Sequence, residues 1–213
     1  MDITGKRSKQ STEVRQAGLV DAALQLAAQR SPSDITTGDL AQAVGITQGA
    51  VFRHFASKEA LWLAVLDWTT GTLMARLQTA AAHEPTALAA LRAVFMAHVD
   101  FVVAYPGVPR VIFQELQHAA DTALKGRVRA LMQQYRQLLL GLLQSAHAQQ
   151  DIAPDTDLQA AAVLFIGSVQ GLVMQSLISG QVSTMVAQAP GVFDLYQRGL
   201  CALSHPTNSS GTP

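Results

Sequence analysis

Three residues constrain this chain more than any others: Ala41, Gly45 and Val51, inside the segment from Ile35 to Phe55. Two short helices that cross at a steep angle need a small residue where they approach. They also need a turn residue that tolerates positive φ and an apolar residue on the second helix to lock the angle. The three residues supply these in order and at the right spacing. Thr36 and Asp39 stand three apart, as in a capping box, although Asp is shorter than the preferred Glu. A helix is therefore predicted from about Thr37 to Val44, with Gly45 at its left-handed C-terminal position. Thr47 is the predicted N-cap of a second helix whose inner side carries Val51 and Phe55. The spacing alone also fits ordinary helical hairpins, so the flanking sequence has to decide.

On both sides the pattern is helical. Leu19, Ala23 and Leu26 share one face of a segment running from about Thr12 to Arg30, which Ser31-Pro32 should stop. Ser57 offers an N-cap for a long helix through Trp62, Val65 and Leu66 to about Ala82. Further breaks are expected at Glu84-Pro85, Tyr105-Pro106-Gly107, Ala120-Asp121, Ala153-Pro154, Ser179-Gly180 and Pro190-Gly191. No segment alternates as a half-buried strand does. The expectation is an all-α protein of about nine helices. Residues 1–10 read as a flexible basic arm with Lys6, Arg7 and Lys9, 11–57 as a DNA-binding domain, 58–204 as a ligand-binding and dimerisation domain, and 205–213 as a disordered tail.

The run from Ile35 to Leu61, ITTGDLAQAVGITQGAVFRHFASKEAL, preceded by the Leu19–Leu24 helix, resembles the DNA-binding domain of the TetR family of repressors. The likeness is specific over roughly residues 12–68; beyond that it extends only to length and helical layout. It implies a helix-turn-helix whose second helix lies in the major groove of double-stranded DNA. Thr47, Gln48, Gly49 and Ala50 would then form its exposed end, with Gln48 suited to a bidentate contact to adenine. Arg53, His54 and Lys58 would reach phosphates, and Thr36 would act similarly at the start of the preceding helix. Three positions depart from the family pattern. Gly38 replaces a usual basic residue, Phe52 a usual phosphate-binding tyrosine, and Gln48 a common lysine or arginine. Each removes a polar or charged DNA contact, so modest affinity and a shallow salt dependence are expected. Phe52 and Phe55 read as core rather than base-stacking residues, because duplex readers rarely stack bases.

Formal net charge is zero, so no global field draws the protein to nucleic acid and any DNA grip must be local. One cysteine, Cys201, excludes a disulfide framework. With no apolar stretch after the basic start, a cytoplasmic protein is expected. The segment from Asp157 to Gly180 is largely apolar and contains Gly167 and Gly171, a spacing shared by membrane-spanning dimer helices and close-packed soluble ones. Gln159, Gln170 and Gln175, with no flanking Lys or Arg, favour the soluble reading. With a helix over Phe193–Leu203, the resemblance implies a four-helix homodimer interface using Gly167, Gly171, Met174 and Ile178, and no membrane partner. Glu115 and His118 have the spacing of half a di-metal carboxylate site, but a second Glu-x-x-His is missing. They and the scattered His83, His98 and His147 read as surface groups. No catalytic residues, metal ligands or cofactors are expected. The family resemblance also implies a cavity for a small-molecule inducer among the fourth to seventh helices. Trp62, Met74, Met96, Phe101, Phe113, Met132 and Phe165 are candidates to line it, each taken singly being more readily read as core. Few charges in those helices suggest an apolar or aromatic inducer.

Overall fold

The computed structural model describes residues 12–201; the basic arm and the C-terminal tail fall outside the described residues. Among these there are nine α-helices and no strand: α1 (Thr12–Gln29), α2 (Thr37–Ala43), α3 (Gln48–Val51), α4 (Lys58–Ala82), α5 (Ala87–Ala104), α6 (Gly107–Leu116), α7 (Ala123–Ala148), α8 (Leu158–Ser179) and α9 (Ser183–Leu200). The segment after α1 does not simply stop, because Pro32–Asp34 forms one 3-10 turn. Proline suits the first position of such a turn, where its missing N–H has no partner to lose.

The expected break at Pro190-Gly191 is absent. Pro190 lies inside α9, which starts ten residues earlier than the Phe193–Leu203 segment. Its ring is on the exposed side, while Met185, Ala189, Phe193 and Tyr196 are buried on the other. Burial of that face outweighs the missing backbone bond, a cost of about 3 kcal/mol in a helix interior.

The helices pack into two compact units. One takes in residues 12–75 with Phe101–Gln133, the other Arg76–Asp100 with residues 134–201. The first contains the α1–α3 hairpin region and α6. Here α6 runs so close to α1 that a Cβ on Gly107 would lie 2.1 Å from the carbonyl oxygen of Leu24, so only glycine fits. Gln114 ties the far end of α6 to the 3-10 turn. Its Oε1 accepts from Ser31 Oγ and from Ser33 N, both at 3.0 Å.

The second unit is built around aromatic rings. Phe95 meets Phe165 edge-on at 5.2 Å, and Phe165 meets Tyr196 at 5.4 Å; Tyr135 and Phe193 complete the cluster. Offset and edge-to-face pairs of this kind add about 0.5–1.5 kcal/mol beyond their buried area. Tyr196 Oη donates to Ala161 O at 3.2 Å. His98 is not the surface group expected from its neighbours. It packs edge-on against Tyr135, whose hydroxyl lies 3.0 Å from Nδ1, and burial pushes its pKa down to about 4. Burial likewise raises the Tyr135 phenol, so the O–H donates and the imidazole accepts. Helices α5 and α8 are long and apolar enough to cross a membrane by length and composition. Both contribute to this cluster through Phe95 and Phe165.

Candidate nucleic-acid interface

The turn between α2 and α3 is built as its spacing requires. Ala41 is buried at the helix approach, Gly45 has φ +68°, and Val51 is buried on α3. The capping box is complete: Asp39 N donates to Thr36 Oγ1 at 3.1 Å, and Thr36 N donates to Asp39 Oδ2 at 2.7 Å. Those bonds, with Arg30 2.9 Å away, hold the Asp39 carboxyl down to about 2. Thr36 also turns its own hydroxyl hydrogen to Asp39 Oδ2. Both of its donors are therefore committed to the cap in this conformation.

Thr47 occupies the N-cap of α3 but makes no side-chain cap bond, contrary to the expectation that it would. Its exposed hydroxyl remains at the tip of the hairpin, next to exposed Gln48 and Gly49. Gln48 reaches back instead: its Nε2 donates to Thr37 Oγ1 at 2.7 Å. The helix itself is a single turn, Gln48–Val51. It tightens into i→i+3 bonds from Arg53 N to Ala50 O and from His54 N to Val51 O, so Phe55 is buried from beyond the helix end.

Phe52 is not core. It is 49% exposed, and the next residue, Arg53, is exposed as well. His54 is held by its backbone, whose carbonyl accepts from Gln16 Nε2 of α1 at 2.9 Å. Its Nδ1 is buried with no hydrogen-bond partner. An unpaired buried N–H costs more than an unpaired lone pair on the same ring, so the proton belongs on Nε2, which then serves as a donor. Lys58 opens α4 and donates to Ser33 O at 3.1 Å, while Ser57 Oγ caps the helix by accepting from Ala60 N at 3.0 Å.

The inducer-cavity candidates are divided between the two units, Met96 and Phe165 in the second and the other five in the first. Trp62 lines a groove in the first unit with Leu66, Val111 and Glu115. Met74 and Phe101 are buried, with Phe101 packed on Tyr105 at 5.1 Å. Phe113 and Met132 are half-buried in the first unit, and Met96 is half-buried in the second. Phe165 is fully buried in the aromatic cluster. On α8, Gly167, Gly171, Met174 and Ile178 are all exposed, Ile178 at 72%. Among the described residues, no three His, Cys, Asp or Glu side chains form a group able to hold a metal ion.

Sequence reasoning missed two residues that position the hairpin. Gly107 was legible only as part of a Pro-Gly break, and nothing local signals the close approach to Leu24. Gln114 carried no signal at all, since its partners lie more than 80 residues away. Glu115, read as a surface group, is 6% exposed and accepts from Thr122 Oγ1.

Comparison with known proteins agrees with this geometry. Residues 19–65 match the family described as bacterial regulatory proteins, tetR family, and residues 112–189 match a tetracyclin repressor-like C-terminal domain. The nucleoid occlusion factor SlmA of Vibrio vulnificus is 25% identical over 166 residues, covering 78% of this chain and 83% of that protein. SlmA of Actinobacillus pleuropneumoniae is 29% identical over 126 residues, covering 59% and 62%. Among solved structures, the transcriptional regulator FadR of Bacillus subtilis in complex with stearoyl-CoA superposes with a TM-score of 0.76. It is 20% identical, with 86% of this chain and 98% of that one covered. The fatty acid degradation regulator FadR of Bacillus halodurans gives a TM-score of 0.78 at 19% identity, covering 87% and 96%. The two family matches together span more than half of the sequence, and the chain belongs to the TetR family of DNA-binding, helix-turn-helix transcriptional regulators.

Proposed function

We propose that the protein is a cytoplasmic repressor that binds a palindromic operator as a homodimer and releases it when a small molecule binds. The observation that carries the DNA-reading part is the exposed tip Thr47-Gln48-Gly49, presented by a turn whose Ala41, Gly45 and Val51 are all in their required roles. In this reading Thr47, Gln48, Gly49 and Ala50 face base edges in the major groove. Phe52, Arg53, His54 through Nε2, and Lys58 once released from Ser33 lie along the backbone. Thr36 supports the site by capping α2.

Pairing of two copies is supported by the bare apolar stripe on α8, where Val163, Leu164, Met174 and Ile178 are exposed, with Val186 and Leu195 exposed on α9. Gly167 and Gly171 lie on exposed α8 positions with open space at the Cβ direction, which suits a close helix approach. Two such copies would place their recognition helices one DNA turn apart. The contacts of α6 with α1 and with the 3-10 turn, through Gly107 and Gln114, offer the route by which ligand binding reaches the hairpin.

The test is the double variant Thr47→Ala, Gln48→Ala in an operator-binding titration, with dimer mass followed by light scattering. Specific affinity should be lost while the dimer persists. Unchanged operator affinity would show that the reading residues are wrongly placed.

A further inference from the structure

A groove of about 250 Å³ lies in the first unit. On one side are the 3-10 turn, with Pro32 and Ser33, and the start of α4, with Lys58 and Trp62; on the other are α6, with Val111 and Glu115, and the start of α7, with Leu124. Trp62, Leu66 and Val111 are buried and give it an apolar side, while Lys58, Glu59, Gln114 and His118 line it with polar groups. Against them sits the carboxyl group of Glu115, whose side chain is 8% exposed.

A carboxylate so deeply placed needs compensation from donors or a cation. One oxygen has it, accepting from Thr122 Oγ1. The second faces the His118 imidazole, whose Nε2 is 3.8 Å away and so beyond hydrogen-bonding distance. Both nearby lysines are engaged elsewhere. Lys58 Nζ donates to Ser33 O, and Lys125 Nζ donates to His118 O. Glu115 thus lines the groove as a buried acid with one of its two oxygens lacking a hydrogen bond. The rim carries Lys58 and Glu59, of opposite charge, and His118 stands beside Glu115, so Glu115 is the buried acid of the groove.

We propose that this groove binds a small organic cation, an ammonium group on a single aromatic or short aliphatic body. The ammonium would donate to the open oxygen of Glu115, and the body would lie against Trp62, whose ring face also favours a cation. The volume is below the roughly 300–1,000 Å³ of drug-sized sites, which limits the ligand to one ring or its equivalent. A neutral apolar molecule of the same shape fills the walls but leaves the carboxylate uncompensated. The chemistry therefore differs from the purely apolar inducer suggested by the low charge of the helices. That the bound cation regulates DNA release rests on the repressor reading, because the groove includes Lys58 and Ser33 at the edge of the DNA-binding hairpin. Binding itself does not depend on that reading.

The experiment is calorimetric titration of the full-length, DNA-free protein with benzylammonium chloride and, in parallel, benzyl alcohol. A charged hydrogen bond is worth enough for benzylammonium to bind at least about tenfold more tightly. Glu115→Gln should remove that preference. Leu124→Trp, which fills the groove and leaves the carboxylate in place, should abolish binding of both compounds and decides the matter if Glu115→Gln fails to fold. Equal binding of the two compounds, no binding of benzylammonium, or undiminished binding in Leu124→Trp would overturn the proposal. With no DNA present, such a result leaves the operator reading standing.

Discussion

The DNA-binding hairpin and the aromatic unit around Phe165 are held together by opposite means. From Thr36 to Phe55 the chain forms two helices of seven and four residues, too short to be stable on their own. Their shape depends on the reciprocal Thr36–Asp39 cap and the left-handed Gly45, and the bond from Gln48 to Thr37 is an exposed contact added to them. Around Phe165 the helices are 18 residues or longer, and five rings in edge-on or tilted contact fill the interior. A hairpin fixed by a few polar contacts can present its tip to a partner without burying it. A core fixed by ring packing tolerates no such exposure, but it supports an outer apolar face such as that of α8.

The sharpest way to break the contrast is to remove a ring. Phe165→Ala should destabilise the protein by about 3–5 kcal/mol, read as a fall in the thermal midpoint, since its neighbours cannot collapse into the space. Acid should act next. His98 has a folded-state pKa of about 4 against an ordinary 6.5, so between those values the unfolded chain binds the extra proton. Its contribution is complete above pH 6.5 and is lost as pH falls through about 4, on the order of 3 kcal/mol in denaturant titrations across that range. His98→Phe should flatten that loss. Gly107→Ala should cost about 1–3 kcal/mol by forcing α6 off Leu24 O, and it should weaken operator binding more than Phe165→Ala does once both variants are folded. Thr36→Ala should cost about 0.5–2 kcal/mol by opening the cap. The smallest effect is expected from Arg53→Ala, which should leave stability unchanged and reduce the salt slope of DNA binding by about 1. If Thr36→Ala proved more damaging than Phe165→Ala, the division between polar and packed regions would be wrong.

That division also separates what could be read in the sequence from what could not. Ala41, Gly45, Val51 and the Thr36–Asp39 pair act over one or two helical turns, so their roles follow from spacing. The start of α4 at Ser57 was legible for the same reason. Pro190 was misread because local proline chemistry was outweighed by the burial of Phe193 and Tyr196, which depends on distant helices. Gly107 and Gln114 act on residues more than 80 positions away, and no local pattern encodes such a meeting. Phe52 was misjudged because an apolar residue at the end of a one-turn helix has no second turn to place it inward. Glu115 was misjudged because a charged residue is taken as exposed until its neighbours are known.

If Gln48 reads a base as proposed, its bond to Thr37 changes what that recognition involves. A glutamine that is free in solution gains its full contact on meeting adenine, less the water it gives up. Gln48 has one amide hydrogen on Thr37 Oγ1, with a second N–H and its Oε1 beyond that bond. In the proposed reading role, a base contact that used the committed hydrogen would be an exchange of one partner for another, and a matched base would gain only the difference. A contact through the second N–H and Oε1 would instead keep the Thr37 bond and hold the amide in a fixed plane. Substitution at Thr37 would then alter base discrimination without touching a residue that faces the DNA.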